Sequence, residues 1–235
     1  MKLFSFVCAF LVAASVQASM IYNDSLADID PGIANGNGTL DIVKMEVSHT
    51  DSDLIFALTV NGNISTTDWG KFMVGIATGD SAGTTTSDGW GRPIYLDGPS
   101  GDMNYWLGAW VDAGGGSQLW SYNGASWDGP AALTSYSFSG GVQSLITMTV
   151  SRSSLGLTGD DTFYFDAYSS GGGGGDSAVD SLSNPNVSIT AWDQQYTSSG
   201  TTGLSMYTIP EPSTAMLLGV GALIGLGVIR RTRRA

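Results

Sequence analysis

The feature that most limits how this chain can fold is its end. From Ala215 to Ile229 the residues are apolar without interruption, and Arg230, Arg231, Thr232, Arg233 and Arg234 follow at once. A helix of that length covers roughly 22 Å at ~1.5 Å per residue, against a hydrocarbon core of ~30 Å. The run is therefore short for a transmembrane helix, and snorkelling arginines or local thinning must supply the difference. Gly221 and Gly225 stand at the G-x-x-x-G spacing of packed membrane helices. The plug formed by Arg230, Arg231, Arg233 and Arg234 stays on the cytoplasmic side, which places the preceding body outside. Just upstream, Pro210 and Pro212 keep the backbone out of helix and sheet and display Glu211 between them.

The front of the chain agrees with export. Lys2 supplies a positive charge, Leu3 to Val16 is largely apolar, and Val16-Gln17-Ala18 puts small residues where signal peptidase reads. Residues 1–18 thus read as a signal peptide cut after Ala18. Cys8 is the single cysteine and falls inside it, so the exported body forms no disulfide.

Pro210-Glu211-Pro212, the apolar run 215–229 and the arginine plug, in that order, resemble a PEP-CTERM sorting signal over residues 209–235. Ile209 stands where that family most often has Val. The resemblance implies a bacterial envelope protein processed by an exosortase, a membrane cysteine transpeptidase-like enzyme that cuts near the motif. It also implies transient anchoring in the inner membrane, then a place at the cell surface or in the extracellular matrix, often in an exopolysaccharide setting.

Between the two signals the body carries 20 acids, 19 of them Asp, against 4 bases, a net charge of about −16. Nucleic acid and anionic membrane surfaces are poor partners for such a body. Asp, Gly, Ser, Thr and Asn suit turns, and helix formers are scarce, which predicts an all-β body. Leu54, Phe56, Leu58 and Val60 alternate at period two, as do Val43, Met45 and Val47 within 40–47, and a short turn joins the runs. Further strands are expected at 72–77, 92–96, 105–112, 118–122, 142–151, 162–168 and 187–192, with one helical turn at 151–157. Short strands between Gly-rich turns predict an antiparallel β-sandwich over 19–197, opening on a long acidic loop from Ser19 to Asn37. Residues 198–208 read as a stalk.

Four of the seven tryptophans fall between Trp106 and Trp127. Strand alternation sends Tyr105, Leu107, Ala109 and Val111 to one face, and Trp106, Gly108 and Trp110 to the other. Two indoles then stand about 13 Å apart, with a glycine leaving the backbone bare between them. Asn123-Gly124 signals a hairpin; pairing Tyr122 with Ala125 sets Trp120 opposite Trp127 and beside Tyr122. Flat rings beside short polar groups suit the faces and hydroxyls of sugars, so Trp106, Trp110, Trp120, Tyr122 and Trp127 are candidate ligand-binding residues. The same side chains serve equally well as core or cross-strand pairs. Trp69, Trp90 and Trp192 read as core or loop packing.

A second resemblance is diffuse but spans most of the body. Leu40-Asp41-Ile42, Trp90-Gly91-Arg92-Pro93, the strand from Tyr105 and the stretch Gly174 to Asp180 are similar to DOMON-like domains related to family-nine carbohydrate-binding modules. It implies a sandwich that binds sugar or haem and can carry structural calcium; His49, the single histidine, gives haem little support. Asp28 and Asp30 of the first loop, with Asp24 in the same loop and Asp41 just beyond it, offer hard oxygen ligands for Ca2+, although not at EF-hand spacing. A solvated acidic loop accounts for them as well. Gly171 to Asp176 fits a single copy of a calcium-roll repeat, which needs neighbours to stack on.

Gly79-Asp80-Ser81-Ala82-Gly83 matches the nucleophile-elbow pattern, but turn residues follow where that elbow needs a helix. A two-carboxylate glycosidase has many aspartates to draw on and none singled out. The expected function is a non-enzymatic, exported, polysaccharide-associated sandwich; a matrix component without a specific ligand and a secreted glycoside hydrolase are the alternatives.

Overall fold

The computed structural model describes residues 19–79, 83–99, 101–200 and 203–210. Ala18, Glu211, Pro212, the apolar run and Arg230, Arg231, Arg233 and Arg234 lie outside the described residues, as do three residues of the nucleophile-elbow pattern. Among the described residues no helix is long and apolar enough to cross a membrane.

The described chain is all-β. Its strands are β1 (Ser19–Asn23), β2 (Ile42–His49), β3 (Asp53–Val60), β4 (Lys71–Ala77), β5 (Ile94–Gly98), β6 (Gly101–Asp102), β7 (Tyr105–Trp110) and β8 (Gly116–Tyr122). They continue as β9 (Trp127–Ala131), β10 (Ser135–Ser139), β11 (Ser144–Ser151), β12 (Thr162–Ser170), β13 (Ala178–Ser181), β14 (Tyr196–Ser199) and β15 (Ser205–Thr208). The helical turn expected after β11 is a 3-10 turn, Arg152–Leu155.

A first antiparallel sheet runs β1-β2-β3-β11-β10, and a second runs β13-β12-β4-β7-β8-β9 with β15 beside the first half of β12. They stack face to face. Alternation along β3 sends Leu54, Phe56, Leu58 and Val60 inward, where they meet Phe72, Val74 and Ile76 of β4 and Phe163 and Phe165 of β12. Phe56 touches both phenylalanines edge-on, at 6.3 and 5.9 Å between centroids. Each such side chain, removed from water, contributes about 1.5–3 kcal/mol.

The second sheet is covered on its other face too. There β14, β5 and β6 form a small third sheet, in which β14 and β5 pair in parallel. Its Ile94, Leu96 and Tyr196 pack with Ile29, Ile33 and Leu40 over Met73, Trp106 and Tyr168. Burial on two sides explains why β4 reads Phe-Met-Val-Gly-Ile-Ala with no polar alternation.

Four expectations are corrected. The acidic loop begins as a strand, because Ser19 to Asn23 pair in register with Ser48 to Lys44. The expected stalk at 198–208 is instead built into the fold: Tyr196 and Ser198 are buried in β14, while Ser205, Tyr207 and Ile209 alternate inward along β15 and just beyond it. Residues 187–192 form turns rather than a strand, with Ile189 alone fully buried there among apolar neighbours. The β8–β9 hairpin is wider than a two-residue turn, and Tyr122, not Trp120, faces Trp127. The Oδ1 of Asn123 accepts from the backbone N–H of both Ala125 and Ser126 at 2.9 Å, which closes a four-residue loop and shifts the register.

Candidate functional site

The outer face of the second sheet is a grid of rings and glycines. Lys71 opposes Trp110 and Met73 opposes Gly108 across β4 and β7; Gly108 opposes Gln118 and Trp110 opposes Gly116 across β7 and β8. A side chain at Gly108 would begin 2.1 Å from Cζ2 of Trp90, and one at Gly116 the same distance from Cζ2 of Trp110. Each glycine thus marks a place where an indole lies flat on bare backbone. The gap expected between Trp106 and Trp110 is filled by Trp90.

The turn before Trp90 puts it there. The backbone N–H of Trp90 donates to Oδ1 of Asp88 at 2.6 Å, and that of Gly91 to the Asp88 carbonyl at 3.2 Å. From Trp90 the rings continue in both directions. Trp110 lies 6.2 Å away and Trp106 6.4 Å away; Trp106 then stacks on Tyr168 at 6.0 Å, and Tyr168 meets Tyr196 at 6.2 Å. The series runs from the surface to the centre of the outer layer, so its exposed end is held rigidly.

That exposed end lines an open groove of about 400 Å³, bounded by Lys71, Trp90, Arg92, Trp110, Asp112, Ala113, Gln118 and Gly174. Oε1 of Gln118 accepts from the indole N–H of Trp90 at 2.8 Å and of Trp120 at 3.2 Å. Lys71 bridges the Trp69 carbonyl at 3.1 Å and Asp112 at 2.9 Å. Arg92 donates to Ser170 Oγ at 2.7 Å and to the Asp176 carbonyl at 3.0 Å, with its guanidinium 5.6 Å from the Trp90 ring centre.

Of the five aromatic residues nominated from sequence, all lie on this face and Trp110 alone lines the groove. Trp106 is fully buried and therefore out of a ligand's reach. Trp120, Tyr122 and Trp127 are half-buried to one side; Tyr122 and Trp127 meet edge-on at 5.4 Å, and the Trp127 N–H donates to Ser87 at 3.0 Å. Trp69 and Trp192 pack on each other at 6.3 Å. Trp90, Arg92, Lys71 and Gln118 were not nominated. The signal for Trp90 was Gly108 itself, a residue that leaves room for a neighbour.

A second cluster sits where β1, the start of β2 and β13 converge. Asp24, Asp28 and Asp180 bring carboxylate oxygens within 4.8 Å of one another. Asp180 accepts from the backbone N–H of Ile42 at 2.6 Å and of Ser181 at 2.8 Å. One oxygen of Asp24 and both of Asp28 are buried with no hydrogen-bond partner. Burial, reinforced by the neighbouring carboxylates, pushes Asp24 up to about 9 and Asp28 up to about 6, and holds Asp180 well above the usual range. Orphaned acceptors in an all-oxygen set fit a hard divalent cation, which would satisfy them together.

Of the aspartates nominated for metal, Asp28 belongs to this cluster. Asp41 stands behind it, accepting from the Ala27 backbone at 3.3 Å and from Asn61 at 3.1 Å. Asp30 turns away and caps Gly32 at 2.7 Å. Asp180 was not nominated, being 139 positions beyond Asp41 in sequence; it enters because β13 lies along the end of β12. Asp176 of the single roll-like repeat is occupied with the Gly173 backbone at 2.7 Å. His49 closes β2 with Nδ1 2.7 Å from the Tyr207 hydroxyl.

Residues 208–234 match the family model of the PEP-CTERM protein-sorting motif. The motif implies an exported protein that is anchored in a membrane and sorted by an exosortase. No curated protein and no solved structure matches the chain. Of the motif's signature the structure describes Pro210, which is exposed directly after the buried Ile209.

Proposed function

We propose that this exosortase-sorted sandwich is a non-enzymatic, polysaccharide-associated protein of the cell surface or matrix, and that the sugar lies in the groove lined by Trp90 and Trp110. One observation carries the reading. Two indoles tilted 55° to each other wall an open groove on a rigid sheet, beside a glutamine whose carbonyl is already fixed by two indole donors. Ring faces supply area at low entropic cost and the fixed polar groups supply orientation. A single acid, Asp112, lines the groove, and the two-carboxylate mechanism of glycosidases requires a partner for it.

Affinity electrophoresis of the full-length protein in detergent, through gels containing a panel of bacterial and plant polysaccharides, tests this. Retardation by at least one polymer is expected, with Trp110→Ala and Trp90→Ala abolishing it while the far-ultraviolet circular dichroism stays unchanged. Free migration through every polymer, or retardation that survives both substitutions, would end the proposal.

A second reading concerns Ca2+. The orphaned oxygens of Asp28 and Asp24, beside Asp180, favour a structural calcium that ties β1 and β2 of the first sheet to β13 of the second. When bound, the ion would supply charge compensation and cross-linking at that junction.

A further inference from the structure

The groove also has a sign. Resting on the polysaccharide reading above, we infer that its ligand is an anionic saccharide, a sugar bearing carboxylate or sulfate, with Arg92 as the principal counter-charge.

The body's four bases are Lys44, Lys71, Arg92 and Arg152, and two of them line this one groove with a single acid opposite. In a body of about −16 this is a local inversion of charge. Arg92 is 5 % exposed and the ion pair found among the described residues is that of Lys71 with Asp112; Asp176 and Asp88 lie near enough to act on the guanidinium electrostatically, but neither makes a direct salt bridge to it. A nearly buried guanidinium without a direct ion pair is costly to hold, and its planar fork matches carboxylate and sulfate oxygens. The turn around Asp88 and the Ser170 contact hold it at the groove wall.

The hydrogen-bonding inventory agrees. Oε1 of Gln118 is saturated by the two indole donors, which leaves its amide N–H groups to face a ligand. Lys71 directs its ammonium to the Trp69 carbonyl and Asp112, and one N–H of its three remains. Apart from Asp112, the charged and amide edge of the groove therefore donates. A neutral sugar hydroxyl needs acceptors as well as donors; a carboxylate or sulfate needs donors only.

The test compares polymers that differ in charge alone. Full-length protein in detergent is titrated with polygalacturonate and its methyl ester, and with dextran sulfate and dextran. We expect the charged member of at least one pair to bind roughly tenfold tighter, about 1.4 kcal/mol, and the preference to shrink as salt is raised. Arg92→Gln should remove the preference and Arg92→Lys should retain part of it; Lys71→Met, which leaves Arg92 in place, serves if Arg92→Gln does not fold. Equal binding within both pairs, lost on Trp110→Ala, would overturn the anionic assignment and leave the polysaccharide reading standing. A preference that persists in both Arg92→Gln and Lys71→Met would also overturn it, placing the counter-charge elsewhere, for instance on a bridging cation. Absence of binding to all four polymers would remove the polysaccharide reading for these chemistries and this inference with it.

Discussion

The two faces of the second sheet do different work with the same strands. The inner face is aliphatic and phenylalanine-rich, and no tryptophan packs in that core among the described residues. The outer face carries Trp69, Trp90, Trp106, Trp120, Trp127 and Trp192 in its packing, and the groove-lining Trp110 beside them. It also carries several of the buried polar groups. Asp166, fully buried, accepts from Ser181 at 2.5 Å, from Ser198, and from the backbone of Ser183 at 3.1 Å and Ala167 at 2.8 Å, and desolvation still pushes it up to about 6. The contrast teaches that cohesion is concentrated between the sheets, whereas chemistry is concentrated outside them, where rings and glycines make room for charge.

The division also supplies its own probe. Tryptophan fluorescence follows the outer layer, while circular dichroism of the backbone follows both layers. Phe56→Ala, which removes a fully buried ring from between the sheets, should cost about 3–5 kcal/mol and lower the melting temperature seen by both signals together. If fluorescence melts separately from the backbone signal, the outer layer is a cooperative unit of its own and the comparison sharpens into two foldons.

Calcium should act at the junction of the layers. Chelation with EDTA should lower the melting temperature by an amount set by occupancy, about 2.7 kcal/mol where free ion stands at a hundred times the dissociation constant. Asp28→Asn should abolish that response, and an EDTA-insensitive melt of the wild type would dismiss the cation.

Gly108→Ala is a smaller, local perturbation. A methyl group 2.1 Å from Trp90 forces that indole off the sheet, at a cost of about 1–3 kcal/mol, and should red-shift the emission and weaken polymer binding. A variant with unchanged emission would mean that Trp90 does not rest there.

The remaining effect is the dependence on pH. Asp24 and Asp28 titrate in the folded state near 9 and 6, above their ordinary value of 3.8. Without calcium, their protonated forms therefore support the fold fully below about pH 4, and that support is lost as pH rises through 6 to 9. In EDTA the wild type should lose melting temperature relative to Asp24→Asn over this range. Bound calcium replaces the protons, so its stabilisation should grow over the same range; parallel profiles with and without the ion would contradict the assignment.

The inner core was legible because period-two alternation is a local signal: Leu54 to Val60 and Thr162 to Phe165 announce their buried faces without reference to anything distant. The outer layer was only half legible. Alternation placed Trp106 and Trp110 on one face correctly, but whether an indole there is buried depends on what crosses above it. Trp90, 16 residues earlier in the chain, decides that. Asp180 is similar, since only the pairing of β13 with β12 brings it to Asp24 and Asp28. The serine- and threonine-rich strands β14 and β15 escaped notice because Ser198 and Ser205 are buried polar residues, which blur the apolar alternation around Tyr196 and Tyr207.

The incorporation of β15 fixes how the protein is presented. Thr208 pairs with Thr162 at one end of β12, whereas Ser170 at the other end pairs with Lys71, which in turn opposes Trp110. The nine residues of β12 separate these ends by roughly 27 Å. From Pro210 to Thr214 the chain can reach at most ~18 Å before the apolar run begins. Tethered copies are thus held close to the bilayer by their exit ends, with their grooves displaced toward the far ends. On the proposed polysaccharide reading, a polymer long enough to visit several grooves would meet them as a planar array and gain avidity from every additional site. Release by the exosortase would then dissolve that array, so cutting the tail should change how firmly a long chain is retained without altering a single contact within any groove.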